Sequence, residues 1–333
     1  MSVRIAINGY GRIGRNLHRQ ILETKDIEVV AINSRADALS HAHLLKHDSL
    51  YGKCNHDIKV EGSDLVIDGK KVFVYQVHDP ADLDFRKYDV DVLIEATGKF
   101  TSRADVKNHL DAGVKKVIIT APCDDLGVPN IVMGVNNADF KSGEYDVVSN
   151  ASCTTNCLAP VLQVLHSEYV VEMAFVTTVH AFTYTQNLLD NSNPEDFRRA
   201  RATTESIIPT TTGAMKAIYR VIPSLKGKVD GMAFRVPIPT VSCIDVVAKL
   251  KKHVSAEQLN KMFKKYEASK LKGILGTCDE PLVSIDFRGD KRSAVIDTLS
   301  TKVLPGGFLQ VMAWYDNEWA YVSRILDLIR WFV

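Results

Sequence analysis

The segment SNASCTTNC, residues 149–157, sets two cysteines one helical turn apart among small hydroxyl residues. A cysteine attacks as its thiolate, and a thiolate forms where a helix start, a base or a cation favours the charge. Ser152 suits a helix N-cap. Cys153 then falls in the first turn, where unpaired N–H groups and the positive dipole end stabilise a thiolate. Cys157 falls one turn deeper, beside Leu158 and Ala159, and reads as a packed, inert thiol. His180, near the end of the strand-like run FVTTVHAF (175–182), is the candidate base, able to take the thiol proton and later steady an alkoxide. Arg198, Arg199 and Arg201 cluster in FRRARA, and Arg235 follows in FRVP. Thr210, Thr211 and Thr212 precede Gly213 and an expected helix start. Arginines, hydroxyls and a helix start together make sites for phosphate or carboxylate.

The elements that must carry these residues alternate. VRIAIN (3–8) reads as an apolar strand, GYGRIG places Gly9, Gly11 and Gly14 in the GxGxxG spacing, and RNLHRQILETK reads as a helix. IEVVAIN (27–33) reads as a second strand. In that context the first glycine permits a tight turn, the second lets a pyrophosphate approach the backbone, and the third lets helix and strand pack closely. The helix start then faces the pyrophosphate with N–H groups and a positive dipole end. VDVLIEATG (90–98), the helical reading TSRADVKNHLDAG (101–113) and KKVIITAP (115–122) continue the alternation. Such alternation implies a parallel sheet covered on both faces, with Thr97 and Gly98 at its ligand-bearing edge. A dinucleotide site of this kind usually ends its second strand with an acid that accepts from the ribose hydroxyls. Here Asn33-Ser34-Arg35 stands instead. Ser34 does not repel a 2′-phosphate, Arg35 or Arg12 can pair with one, and Asp37 is an alternative ribose ligand.

A chain of 333 residues exceeds one ordinary core and implies two domains. Its 46% hydrophobic and 24% charged residues and net charge of +1 are those of a globular protein without a bulk preference for nucleic acid or anionic membrane. No leader pattern and no apolar run of membrane-spanning length stands out, so a cytosolic protein is expected. The six cysteines are scattered and lack paired zinc spacing, which argues against a disulfide framework and against a structural metal.

INGYGRIGR, EATGKF, SNASCTTNCLAP, TTVHAFT, RRARA, ESIIPTTTGA, LKGK, EPLVS and WYDNEW run nearly end to end through the chain. On these motifs it resembles the phosphorylating glyceraldehyde-3-phosphate dehydrogenases. The resemblance implies an α/β protein: a Rossmann-type doubly wound parallel sheet in a dinucleotide-binding domain (1–151), and an α+β catalytic domain with a mostly antiparallel sheet (152–318). The C-terminal helix (319–333) would pack back on the first domain. It implies reversible oxidation of glyceraldehyde 3-phosphate to 1,3-bisphosphoglycerate through a hemithioacetal and a thioester. Cys153 would be the nucleophile and His180 its partner. Thr183 and Arg235 would hold the substrate's C3 phosphate, and Ser152, Thr154, Thr212 and Gly213 the attacking phosphate, with Arg199 near both. Gly9, Gly11, Arg12, Ile13, Gly14, Ser34, Arg35, Thr97, Thr120, Ser192, Asn317 and Tyr321 would line the cofactor, Asn317 orienting the nicotinamide carboxamide. No metal is implied. A cytoplasmic homotetramer is implied, with an S-shaped loop at about 182–206 reaching a neighbour's cofactor.

Three departures bear on this resemblance. Ser34 replaces the strand-end acid. Thr185 stands where the family often has Asp. Asn191 and Ser192 stand where strictly NAD-dependent members often carry Leu-Pro. Ser34 and Ser192 together point to NADP or dual NAD/NADP use. Two alternatives remain open on sequence: an erythrose-4-phosphate dehydrogenase, and a non-enzymatic dinucleotide-binding redox sensor or binding module.

Overall fold

The runs VRIAIN and IEVVAIN fold as neighbouring parallel strands, β1 (Val3–Asn8) and β2 (Ile27–Asn33), joined through α1 (Arg12–Leu22). The computed structural model describes residues 2–184, 186–194 and 196–333. Thr185 therefore lies outside the described residues.

The chain divides into two units. The first comprises Met1–Ile131, Asp139–Ala151 and Val322–Val333; the second comprises Val132–Ala138 and Ser152–Tyr321. In the first, α2 (Ala38–Lys46) leads to a two-stranded ribbon, β3 (His47–Asp48) and β4 (Gly52–Lys53). β5 (Ile58–Glu61), β6 (Asp64–Ile67), β7 (Lys70–Tyr75), β8 (Val92–Glu95), β9 (Lys116–Ile119) and β10 (Val147–Ser149) complete an eight-stranded sheet. Its order is β10-β9-β8-β1-β2-β7-β6-β5, parallel from β10 to β7 and antiparallel beyond. β1 sits where the order reverses, and the carboxyl ends of β1, β2 and β8 bring Asn8, Asn33 and Glu95 to one edge. That edge is where an open α/β sheet holds its ligand. Ala31, Leu93 and Val117, all fully buried or nearly so, form the adjoining core.

The expected helix over 101–113 shrinks to α3 (Lys107–Asp111). Asp105 Oδ2 accepts from the N–H groups of Thr101 and Ser102 at 3.0 and 2.9 Å. That side-chain turn takes the donors a longer helix would orient along its axis.

The second unit is built on a seven-stranded sheet. Its strands are β11 (Val171–Ala181), β12 (Ile208–Thr210), β13 (Val229–Val236), β14 (Ser242–Leu250), β15 (Leu275–Cys278), β16 (Ala294–Leu304) and β17 (Phe308–Tyr315). The order is β12-β13-β11-β14-β17-β16-β15, antiparallel except for the β11–β13 and β15–β16 pairs. The helices α4 (Cys153–Tyr169), α5 (Ala214–Val221) and α6 (Ala256–Glu267) accompany this sheet. α4 buries Cys157, Leu158, Val161, Leu162 and Leu165 completely. Val132–Ala138 groups here, and Gly134 lies so near Ile274 that a Cβ on it would meet the isoleucine side chain at 2.4 Å. The chain returns through α7 (Trp319–Phe332). In the first unit Ser323 Oγ donates to Gln20 Oε1 at 2.8 Å, and Arg330 pairs with Asp26.

α1 and α2 enclose a polar cluster among apolar side chains. Tyr10, His18 and His41 are each 2% exposed. Tyr10 Oη lies 2.6 Å from His18 Nδ1, while among the described residues neither ring nitrogen of His41 has a hydrogen-bond partner. Burial pushes His18 down to about 3 and also lowers His41, with Arg15 adding to the latter and Asp37 opposing it. Both imidazoles are neutral in the fold, whereas the unfolded chain takes up protons below about pH 6.5. Stability is therefore intact above that pH and lost progressively as pH falls toward the folded values. His41→Leu removes two orphaned polar atoms and is expected to add roughly 1 kcal/mol or more at pH 7, with a larger gain at pH 5. Urea midpoints at the two pH values check this; a destabilised variant, or an equal gain at both, contradicts it.

Candidate active site

Ser152 caps α4. Its Oγ accepts from Thr155 N at 3.0 Å with Ser152 in extended backbone (φ −104°, ψ 163°). Ala151, just before it, sits in left-handed backbone at φ +53°. Cys153 is thereby the first helical residue and is half-buried, while Cys157 is fully buried one turn on.

His180 lies on β11 and Arg235 on β13, and the parallel register pairs the two directly. His180 Nε2 is 3.5 Å from Cys153 Sγ. On the far side of the ring, Nδ1 is 2.7 Å from both Ala181 O and Arg235 Nη1. These neighbours ask for opposite things: the carbonyl accepts a proton and the guanidinium offers one. For Nε2 to accept the thiol proton, Nδ1 must carry the ring hydrogen and donate it to Ala181 O. Arg235 Nη1 then donates to the same carbonyl at 3.1 Å.

The electrostatics revise one expectation. Burial pushes the Cys153 thiol above its ordinary range, and Arg235, Thr154 and the helix-start N–H groups only partly pull it back. Burial and then Arg235 hold His180 down at about 3. At neutral pH the resting pair is thus thiol and neutral imidazole. The favourable helix-start contribution expected from sequence is present, and desolvation outweighs it. Burial raises Cys157 further still, in keeping with a packed thiol.

The anion-site candidates divide. Arg199 Nε and Nη2 donate to Thr210 Oγ1 at 2.9 and 2.7 Å, and Nε also pairs with Asp196 at 3.2 Å. Arg199 is near enough to Arg235 for their charges to repel, and of the two it is Arg235 that touches the Cys–His pair, through His180. Thr212 Oγ1 accepts from Ala214 N at the start of α5, whose N-cap is Gly213. Thr183 N donates to Gln186 Oε1 within its own loop. The hydroxyls of Ser152 and Thr154 are occupied within the protein. Ser152 Oγ is 2.7 Å from Thr155 Oγ1, and Thr154 Oγ1 is 2.9 Å from Tyr315 Oη. Tyr315 Oη is also 3.0 Å from Thr178 Oγ1, and its ring meets His180 edge-on. Tyr315 and Thr178 escaped the sequence reading because an apolar strand hides a buried hydroxyl.

In the first unit Gly9 needs its positive φ of 93°, and a Cβ there would lie 2.6 Å from Ala96 C and Thr97 N. A Cβ on Gly14 would lie 2.5 Å from Gly9 O, whereas one on Gly11 would enter open space. Among the described residues no side chain caps α1, and no acid sits in its first turn. The open front and uncapped helix start fit a dinucleotide's pyrophosphate. Ile13 is half-buried beside them. The buried Glu95 accepts from Asn8 Nδ2 (2.6 Å), Thr97 N (2.8 Å) and Thr97 Oγ1 and meets His109 Nε2 at 3.1 Å. Thr120 Oγ1 donates to Glu95 O at 2.9 Å. A single Glu ending the apolar run VLIE was the signal for this network.

Around the strand-end position, Ser34 N donates to Tyr75 O at 3.0 Å. Arg35 is exposed, and its guanidinium has no partner among the described residues. Arg12 is committed: it pairs with Asp48 and lies over the Tyr51 ring at 5.7 Å. Asp37 caps α2 by accepting from Ser40 N. Of the two arginines considered for a 2′-phosphate, the exposed one is Arg35. In the second unit Ser192 is exposed, Asn317 Oδ1 accepts from Ser242 Oγ at 2.9 Å, and Tyr321 is buried on α7.

A family model described as "Glyceraldehyde 3-phosphate dehydrogenase, NAD binding domain" matches residues 3–103, and one described as "Glyceraldehyde 3-phosphate dehydrogenase, C-terminal domain" matches residues 152–317. The chain is 49% identical over 328 residues to "Glyceraldehyde-3-phosphate dehydrogenase 1" of Bacillus subtilis, covering 98% of this chain and 97% of that one. It is equally similar, with the same coverage, to "Glyceraldehyde-3-phosphate dehydrogenase" of Geobacillus stearothermophilus. It is 48% identical over 336 residues to the protein of that name from Mycobacterium avium, covering 99% and 98% of the two chains.

Proposed function

The chain belongs to the glyceraldehyde-3-phosphate dehydrogenase family, and from that premise we infer that it catalyses the reversible phosphorylating oxidation of glyceraldehyde 3-phosphate. The observation that carries the reading is Cys153 Sγ 3.5 Å from His180 Nε2, with Arg235 on the imidazole's other side.

A bound nicotinamide dinucleotide supplies the hydride acceptor, and Gly9, Gly11, Gly14 and the α1 start are the residues that would hold its pyrophosphate. The protein's own groups do the rest. Cys153 Sγ bonds the aldehyde carbon while its proton passes by way of His180 Nε2 to the carbonyl oxygen, giving a hemithioacetal. His180 Nε2 then takes the hydroxyl proton as the carbon loses hydride, leaving a thioester on Cys153. A phosphate oxygen attacks that carbon and the sulfur departs as thiolate, releasing the acyl phosphate. Arg235 is our candidate for the substrate's own phosphate, with Thr183. Binding a dianion there neutralises a charge that depresses His180, so the substrate strengthens the base it needs. Arg199, Thr212, Gly213 and the Ser152 and Thr154 backbone are candidates for the attacking phosphate. The test is aldehyde oxidation with and without phosphate, run with glyceraldehyde 3-phosphate and erythrose 4-phosphate. A higher kcat/KM for erythrose 4-phosphate would replace this substrate with that one.

For the cofactor, we propose use of NADP alongside NAD. Support comes from Ser34 in place of an acid and from the exposed, unpartnered Arg35. Ser34→Asp should cut kcat/KM for NADP by about 10- to 100-fold, since it brings a carboxylate against a phosphate, and leave NAD nearly unchanged. A wild-type preference for NAD above about a hundredfold contradicts the proposal.

A homotetramer is likewise proposed. The register sets Met173, Phe175, Met232, Val247 and Phe308 on one exposed face of the second unit's sheet. Tyr184, Leu188, Leu189 and Phe197 are exposed on the loop at about 182–206. Apolar patches of this kind mark association surfaces, and a second copy is the occupant the family implies. Light scattering behind size exclusion should give the mass of four chains, and a monomer would refute this. All six cysteines are free, which supports a reducing, cytoplasmic setting. Among the described residues no helix is long and apolar enough to cross a membrane.

A further inference from the structure

β14 begins with an unfavourable joint. Val241 is β-branched, fully buried and held at φ +64°, a left-handed conformation such side chains avoid. Strain of this kind persists where the surroundings over-determine it. The residues on either side show what it achieves. Thr240 Oγ1 donates to Asp316 Oδ1 at 3.3 Å, and Ser242 Oγ donates to Asn317 Oδ1 at 2.9 Å. Thr240, Val241 and Ser242 thus form a clip on two consecutive residues of the link between β17 and α7. The link is braced further along: Asp316 Oδ1 accepts from the N–H groups of Glu318 and Trp319, and Oδ2 from Gly289 N.

Ser242 is 1% exposed and Asn317 is 6% exposed. Ala181 N donates to Ser242 Oγ at 3.1 Å, which spends a lone pair of that oxygen and leaves its one proton for Asn317. A reversed Asn317 amide would make the hydroxyl accept twice and strand its proton in a buried place. The Asn317 oxygen therefore faces Ser242, and its NH2 group points the other way. The same hydroxyl holds the peptide next to His180.

We propose that Ser242 is a positioning residue: by fixing the Asn317 amide it presents the NH2 group to the carboxamide carbonyl of a bound nicotinamide and so sets which face of that ring receives the hydride. This rests on the reading of Asn317 as the carboxamide partner. The test compares wild type with Ser242→Ala, Ser242→Cys and Asn317→Ala, using aldehyde deuterated at the reacting carbon. Three quantities are read: KM for the dinucleotide, kcat, and the face of the product ring that carries deuterium. Ser242→Ala should raise KM about tenfold, the scale of one hydrogen bond, and deliver part of the deuterium to the wrong face. Its kcat should stay within about threefold of wild type. Ser242→Cys, which keeps the size and a weak donor, should fall between the two and serves if the alanine variant does not fold. Unchanged KM and facial fidelity in the folded Ser242 variants, alongside a raised KM in Asn317→Ala, would overturn the role of Ser242 alone. If Asn317→Ala itself changes neither quantity, the reading of Asn317 fails and the proposal with it.

Discussion

Replacing Cys153 by serine is expected to lower phosphate-dependent aldehyde oxidation by on the order of 10^4-fold or more, while dinucleotide binding stays within about twofold. The size of the loss follows from the chemistry. A serine hydroxyl ionises far less readily than a thiol and leaves poorly from an acyl carbon, so both attack and release by phosphate suffer. The substitution is otherwise mild. Ser152 supplies the α4 cap through Thr155 N, and the thiol at position 153 meets His180 Nε2 and its neighbour Thr154, contacts that a serine hydroxyl can also make. The glycine turn and α1 belong to the first unit, so the proposed pyrophosphate site is untouched. Steady-state turnover and a dinucleotide titration on the same preparation check both halves. Retained turnover would mean that another group attacks the aldehyde.

His180→Asn is expected to cost about 10^2- to 10^4-fold in kcat, the usual span for a lost general base. Asparagine keeps a donor for Ala181 O, so the buried carbonyl is not orphaned. The more discriminating readout is pH. In the wild type, thiol plus neutral imidazole has the same proton count as the reacting arrangement. With the imidazole held down at about 3 and the thiol pushed above its ordinary range, kcat/KM should be flat from pH 5 to about pH 8. Without the imidazole only preformed thiolate reacts, and its population falls about tenfold for each pH unit below the thiol pKa. The variant should therefore rise steeply over the interval where wild type is flat. Parallel profiles would remove His180 from the proton path.

Much of this site was legible before the fold was known, because it depends on local spacing. Gly9, Gly11 and Gly14 mark a turn whose steric demands are short-range, and Ser152 with Cys153 marks a helix start. The antiparallel order of the second sheet was available only through the resemblance, since period-2 runs do not say which strand lies beside which. The pairing of His180 with Arg235 is of that kind: it depends on the register of β11 against β13, and 55 residues separate the two in the chain. The resting protonation of Cys153 is also of that kind. Local position placed it at a favourable dipole, but its burial is a property of the whole fold. Glu95, Tyr315 and Ser242 went unnoticed because a polar residue inside an apolar strand looks like ordinary alternation until its partners are known. The Asp105 turn that shortens α3 shows the converse, a local side-chain preference overriding a helical pattern.

The most direct measurement is a rapid-mixing experiment with enzyme, oxidised dinucleotide and glyceraldehyde 3-phosphate in the absence of phosphate, followed by acid quench and peptide mass analysis. A burst of one reduced dinucleotide per chain is expected, with the acyl group found on the peptide at Cys153 and discharged as acyl phosphate when phosphate is added. No burst, or an acyl group on Cys157 or elsewhere, would contradict a thioester on Cys153.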